Sequence, residues 1–119
     1  MDPLTSAIVG HLVGDYIIQT DWMALNKKKP GMAGLFPCVV HCVLWACSVM
    51  LFSGCWSIPL AALLFSTHLV QDGTSIVRDW MRLVGQEQFA TGACSPWSII
   101  VVDNVLHIVT IWLVWRFWL

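Results

Sequence analysis

Four apolar runs, at about residues 4–25, 35–53, 58–82 and 97–118, take up most of this 119-residue chain. The run over 35–53 contains no Asp, Glu, Lys or Arg. Its length is close to the ~20 residues that cross a bilayer core. The chain is 58% hydrophobic and 11% charged, with a mean hydropathy of +0.75. A soluble domain of this size has too little interior to hide so much apolar surface. These features predict an all-α integral membrane four-helix bundle forming a single transmembrane domain over 1–119. A net charge of −1 offers no basic field for nucleic acid. The expected partners are membrane lipids and further copies of the chain. Five cysteines, an odd number, do not form a disulfide framework. The first apolar run is preceded by no Lys or Arg and carries His11 and Asp15, so it does not read as a signal peptide.

Local signals set the expected helix limits. Gly10 and Gly14 form a small-xxx-small pair that would let another helix approach closely. Asn26 to Gly31 (Asn-Lys-Lys-Lys-Pro-Gly) reads as a basic turn. Pro37 is expected in the first turn of the second helix. Gly54 to Ser57 is a short turn, making a helical hairpin of the second and third runs. Ser57 serves as N-cap with Pro59 in the first turn, and the third helix is expected to continue past Asp79 to an amphipathic end at residue 82. Ser95-Pro96 is a similar cap pair before the fourth run.

Lys27, Lys28, Lys29, Arg78 and Arg82 fall on one side if the runs alternate, with Arg116 towards the other. The positive-inside rule then puts loops 26–34 and 83–96 in the cytoplasm and both termini in the periplasm of a bacterial inner membrane. Trp22, Trp80 and Trp97 would form an aromatic belt on the loop side, and Trp56, Trp115 and Trp118 one on the far side. Trp45 and Trp112 are expected to pack the bundle.

Against this apolar background the chemistry is concentrated. His11-Leu-Val-Gly-Asp15 recurs as His68-Leu-Val-Gln-Asp72, and Asp103-Asn-Val-Leu-His107 has the same spacing reversed. Residues at i and i+4 share a helix face, so each stretch points an imidazole and a carboxylate the same way. His41, the fourth histidine, lies in the remaining run. With alternating spans, most of these groups fall roughly 10–20 Å from the loop-side helix ends, so all seven can meet in one layer.

A carboxylate in a membrane span costs about 3 kcal/mol and needs a partner. A lone His–Asp pair reads as interhelical hydrogen bonding. Three pairs and a level fourth histidine shift the reading to a divalent metal, zinc first, with manganese or iron as alternatives. Seven ligand candidates suit two ions: His11, Asp15, His41, His68, Asp72, Asp103 and His107. Two ions about 3.5–4 Å apart can clamp the attacking and leaving oxygens of a hydrolysis. Some of the Asp residues would instead orient the histidine on their own helix. Gln19 continues the His11–Asp15 face and is a candidate for contacting substrate. Asp21 and Asp79 read as solvated, Asn104 as satisfying a neighbour, and Cys38 and Cys42 as small apolar filler.

Across His11-Leu-Val-Gly-Asp15…Gln19-Thr-Asp21-Trp22-Met23-Ala24…Lys27-Lys28, the chain resembles the domain of unknown function 3307 family of small bacterial and phage membrane proteins. His41, His68–Asp72 and Asp103–His107 extend the resemblance over most of the chain. The family name implies no activity. A looser resemblance to membrane-bound metal-dependent hydrolases implies hydrolysis by association only. The functional expectation is a metal-dependent hydrolase acting on a lipid or lipid-linked substrate near the cytoplasmic leaflet. The alternatives are proton or metal-ion transport, or a non-enzymatic phage-type lysis or exclusion protein.

Overall fold

The computed structural model describes residues 1–119, and every regular element is helical. Helix α1 (Pro3–Val13) passes into a π-helical turn, Gly14–Ile18. The short α2 (Asp21–Asn26) follows, then α3 (Met32–Ser53) and α4 (Ile58–Gly73). Helices α5 (Ile76–Leu83) and α6 (Glu87–Thr91) lead into α7 (Trp97–Phe117). Helix α1 packs on α3 and α7, and α4 packs on the same two, so four helical segments enclose a common interior. Two of them, α3 and α7, are long and apolar enough to cross a membrane.

The first and third expected helices are each split, and side chains explain where. Thr20 is extended, and its hydroxyl accepts from the Met23 N–H, capping a new helix rather than continuing the old one. The expected 4–25 helix therefore becomes α1, the π-turn and α2. The expected 58–82 helix stops at Gly73 because Thr74 is extended, and α5 begins afresh at Ile76. At its start α4 follows the sequence reading: Ser57 accepts from the Leu60 N–H and Pro59 lies in the first turn. Asp2 caps α1 in the same way through the Thr5 N–H. Helix α3 begins at Met32 instead of Leu35, which places Pro37 inside it rather than in its first turn. Gly54, in the left-handed region at φ 71°, closes α3 and turns the chain into α4.

Two close approaches decide the packing. A Cβ on Gly10 would lie 2.7 Å from the Ser48 carbonyl oxygen and 2.8 Å from Val49 Cα. The Gly10/Gly14 face is thus where α3 comes nearest, and Ser48 Oγ donates to the Gly10 carbonyl across it. At Gly34 a Cβ would lie 1.7 Å from the Lys29 carbonyl oxygen, so the basic turn lies directly on the start of α3.

Away from the loops the interior is apolar, built on Trp45, Val49, Leu60, Leu64, Ile111 and Val114. Trp45 packs inside as expected, 2% exposed. Trp112 does not: it is 47% exposed and lies on the outer face of α7. That face is also apolar, with Val101, Val105 and Val109 at helical spacing and all exposed.

Candidate metal centre

The π-turn places Asp15 beneath α1, and the last two turns of α4 supply His68 and Asp72. His41 comes from α3 and Asp103 and His107 from α7. Their ligand atoms form two groups, Asp15–His41–His68–Asp72 and Asp72–Asp103–His107, which share Asp72. All four histidines and Asp72 are buried. π-turns are rare and often mark functional sites. Here the Gln19 amide donates to the Asp15 carbonyl, occupying a backbone acceptor where the turn ends.

The Asp72 carboxylate divides between the two groups. Oδ2 lies 2.9 Å from His41 Nε2 and 3.4 Å from His68 Nε2. Oδ1 lies 3.4 Å from His107 Nε2. Asp15 Oδ1 approaches His41 Nε2 at 3.2 Å and His68 Nε2 at 3.6 Å. The two imidazoles meet through their Nε2 atoms at 3.0 Å. Trp45 stacks flat on His68, with ring centroids 3.9 Å apart, and fixes the plane of that ring.

The donor set fits a cation. His107 Nδ1 donates to the Asp103 carbonyl at 2.7 Å. In a neutral ring this leaves Nε2 as a bare lone pair facing Asp72 Oδ1, and Nε2 has no hydrogen-bond partner. A metal ligand is commonly oriented by such a bond from its other ring nitrogen. Asp15 Oδ1 is likewise buried and unpartnered. Lone pairs directed at one another in a buried site are costly unless a proton or a metal ion lies between them. Imidazole and carboxylate together suit divalent transition ions.

His11 is brought to the edge of the cluster but is differently engaged. The Trp45 indole donates to its Nδ1 at 3.1 Å. Its Nε2 then carries the proton and donates to Asn104 Oδ1 at 2.6 Å. Asp15 Oδ2 lies 3.2 Å from the same Nδ1. Both nitrogens therefore serve protein partners, and His11 stands outside the two ligand groups. Asp103 sits at the cluster's margin, its Oδ2 3.5 Å from His107 Nδ1. Gln19 faces Lys27, whose ammonium donates to its Oε1 at 2.8 Å. Asp21 is exposed and Asp79 bonds to Ser75. Cys38 and Cys42 touch each other at 4.0 Å and take no part.

Four contributors escaped the sequence reading. Lys27, taken there as a topology signal, donates to Asp72 Oδ2 at 2.6 Å. Burial disfavours the Lys27 ammonium, but the Asp72 carboxylate more than offsets this and raises its pKa above the ordinary lysine value. Nothing in Lys27-Lys28-Lys29 distinguishes the first lysine. Trp45 carried a usable signal, since it follows His41 by four residues and so shares its face. Asn104 was visible only as a neighbour of Asp103. Lys28 donates to the Asp72 and Thr74 carbonyls, tying the basic turn to the open end of α4.

No curated protein and no solved structure matches the chain. A family described as protein of unknown function (DUF3307) does, over residues 4–119, which takes in all of the helices but the first residue of α1 and every residue of the His–Asp cluster. The chain is therefore a member of the DUF3307 family.

Proposed function

We propose that the protein is a four-span membrane protein with a two-ion metal centre that hydrolyses a lipid or lipid-linked substrate near the cytoplasmic leaflet. The observation that carries this reading is the Asp72 carboxylate, with one oxygen facing each ligand group. A carboxylate so placed would contribute one oxygen to each of two ion positions, as two-metal hydrolysis requires.

Support for the membrane setting comes from the outer surface. The long axis is 39 Å, against a hydrocarbon core of ~30 Å. Exposed Leu51, Phe52, Val101, Val105 and Leu113 on α3 and α7 suit lipid better than water. Helix α1 with its π-turn, and α4, span 16 residues each, or ~24 Å. Both end beside the cluster. Lys27, Lys28 and Arg78 gather at this end, which the positive-inside rule assigns to the cytoplasm.

A divalent ion held here supplies Lewis acidity and makes water acidic enough to attack at neutral pH. The chain's own residues do the rest. His41, His68, Asp15 and Asp72 would hold one ion, and Asp72, His107 and Asp103 the other. Asp103, at the margin beside the open cavity, is placed to take a proton from water and pass it outwards. Trp45 orients both His11 and His68, and His11 in turn holds Asn104. Transport is less well supported, because the apolar core of Leu60, Leu64, Ile111 and Val114 closes the interior beyond the cluster.

The test is metal content of protein purified in mild detergent and reconstituted with zinc, manganese or iron. Two equivalents in the wild type, one in Asp103→Asn and none in Asp72→Asn are expected. An absence of metal from every wild-type preparation would sink the hydrolase reading.

A further inference from the structure

A cavity of about 320 Å³ opens beside the cluster, between the basic turn, the α4–α5 corner and the start of α7. Its walls divide by chemistry. Asp72, paired with Lys27, and Asp103 form the inner side, Lys28 and Arg78 offer positive charge, and Val77, Ile99 and Ile100 are apolar. Lys28 is held in place by the Asp72 and Thr74 carbonyls, at 2.8 and 3.2 Å. Arg78 has no carboxylate within ion-pair distance, whereas Arg82, one turn further along α5, pairs with Asp79 and Glu87. An unpaired guanidinium beside a preorganised ammonium matches a phosphate, which arginine takes in bidentate fashion. The apolar side matches the part of an amphiphile next to its headgroup.

We infer that this cavity receives the phosphate headgroup of an anionic lipid, with Arg78 and Lys28 on the phosphate oxygens and the start of the chain against Ile99 and Ile100. The inference deepens the proposed function and rests on its metal reading. Lys27 offsets the Asp72 carboxylate, but no lysine or arginine pairs with Asp103, whose charge repels an anion until a bound ion neutralises it. Headgroup binding is therefore metal-dependent, and Arg78 and Lys28 select for phosphate. Arg78 is exposed and remote from the buried core, so its replacement leaves the fold intact.

The experiment is calorimetric titration of the detergent-solubilised full chain with the non-hydrolysable phosphonate analogue of dihexanoyl phosphatidic acid. Metal-free and manganese-loaded protein are compared, with metal uptake measured separately in each variant. Inorganic phosphate and dihexanoylglycerol are titrated in parallel. The phosphonate lipid should bind only the loaded protein, and about tenfold or more weaker to Arg78→Gln. Arg82→Gln should bind as the wild type does. Equal binding of dihexanoylglycerol, or unchanged affinity in Arg78→Gln with normal metal uptake, overturns the headgroup assignment alone. Inorganic phosphate binding as tightly as the lipid overturns the amphiphile in favour of free phosphate. Failure to take up metal overturns the metal reading and this inference together.

Discussion

Lys27 Nζ lies 2.6 Å from Asp72 Oδ2, so the carboxylate shared by both ligand groups is also held by a cation from the α2–α3 turn. The lysine side chain is 14% exposed and the aspartate 3%. Removing one partner of a buried ion pair leaves an uncompensated charge, at a cost of up to about 3–5 kcal/mol. Lys27→Gln should therefore lower the unfolding temperature of metal-free protein clearly. Metal loading should restore most of the loss, because an ion supplies the missing positive charge. Thermal unfolding in detergent with and without metal checks this; equal losses in both states would contradict it.

Gly34→Ala tests the seating of the basic turn. Within a helix this change ordinarily gains about 0.5–1 kcal/mol. Here the new Cβ meets the Lys29 carbonyl oxygen at 1.7 Å, a backbone atom with no flexible end to move aside. The turn must lift, taking Lys27 from Asp72 and Lys28 from the end of α4. Helix content by circular dichroism should be kept while the unfolding temperature falls towards that of Lys27→Gln.

His11 should behave differently from the ligand candidates. Its nitrogens are bonded to Trp45 and Asn104, so it supports the edge of the cluster rather than holding an ion. His11→Gln and Asn104→Leu should weaken metal binding by about 10–100-fold while keeping the wild-type number of ions. His68→Ala should lose an ion outright. Competition with a metal-chelating dye measures both affinity and stoichiometry, and loss of an ion in His11→Gln would return His11 to the ligand set.

The α1–α3 contact offers a stability prediction with a control. Gly10→Val forces side-chain atoms into the Ser48 carbonyl and Val49 backbone, and overpacking of this kind costs about 1–3 kcal/mol. Leu12→Val, on the exposed side of the same helix, should change stability by no more than about 0.5 kcal/mol. Unfolding midpoints of the two variants, measured in one detergent, give the comparison.

The sequence alone was enough to determine that the chain is helical, where its apolar runs lie, and which histidines and carboxylates share a helix face. These are local properties: helix periodicity places His68 with Asp72 and Asp103 with His107 whatever surrounds them. Gly10 and Gly14 likewise announced a close approach. Tertiary structure decided which helix made it, and that Asp72 faces both ligand groups while His11 turns to Trp45 and Asn104. It also decided that Lys27, alone among three adjacent lysines, reaches the buried carboxylate. The breaks at Thr20 and Thr74 belong with these, because one side-chain cap or one extended residue outweighs a continuous apolar pattern. The physical reason is that periodicity sets a side chain's direction around its own helix. Partners across helices depend on crossing distances and helix ends, which are fixed only when the whole bundle packs.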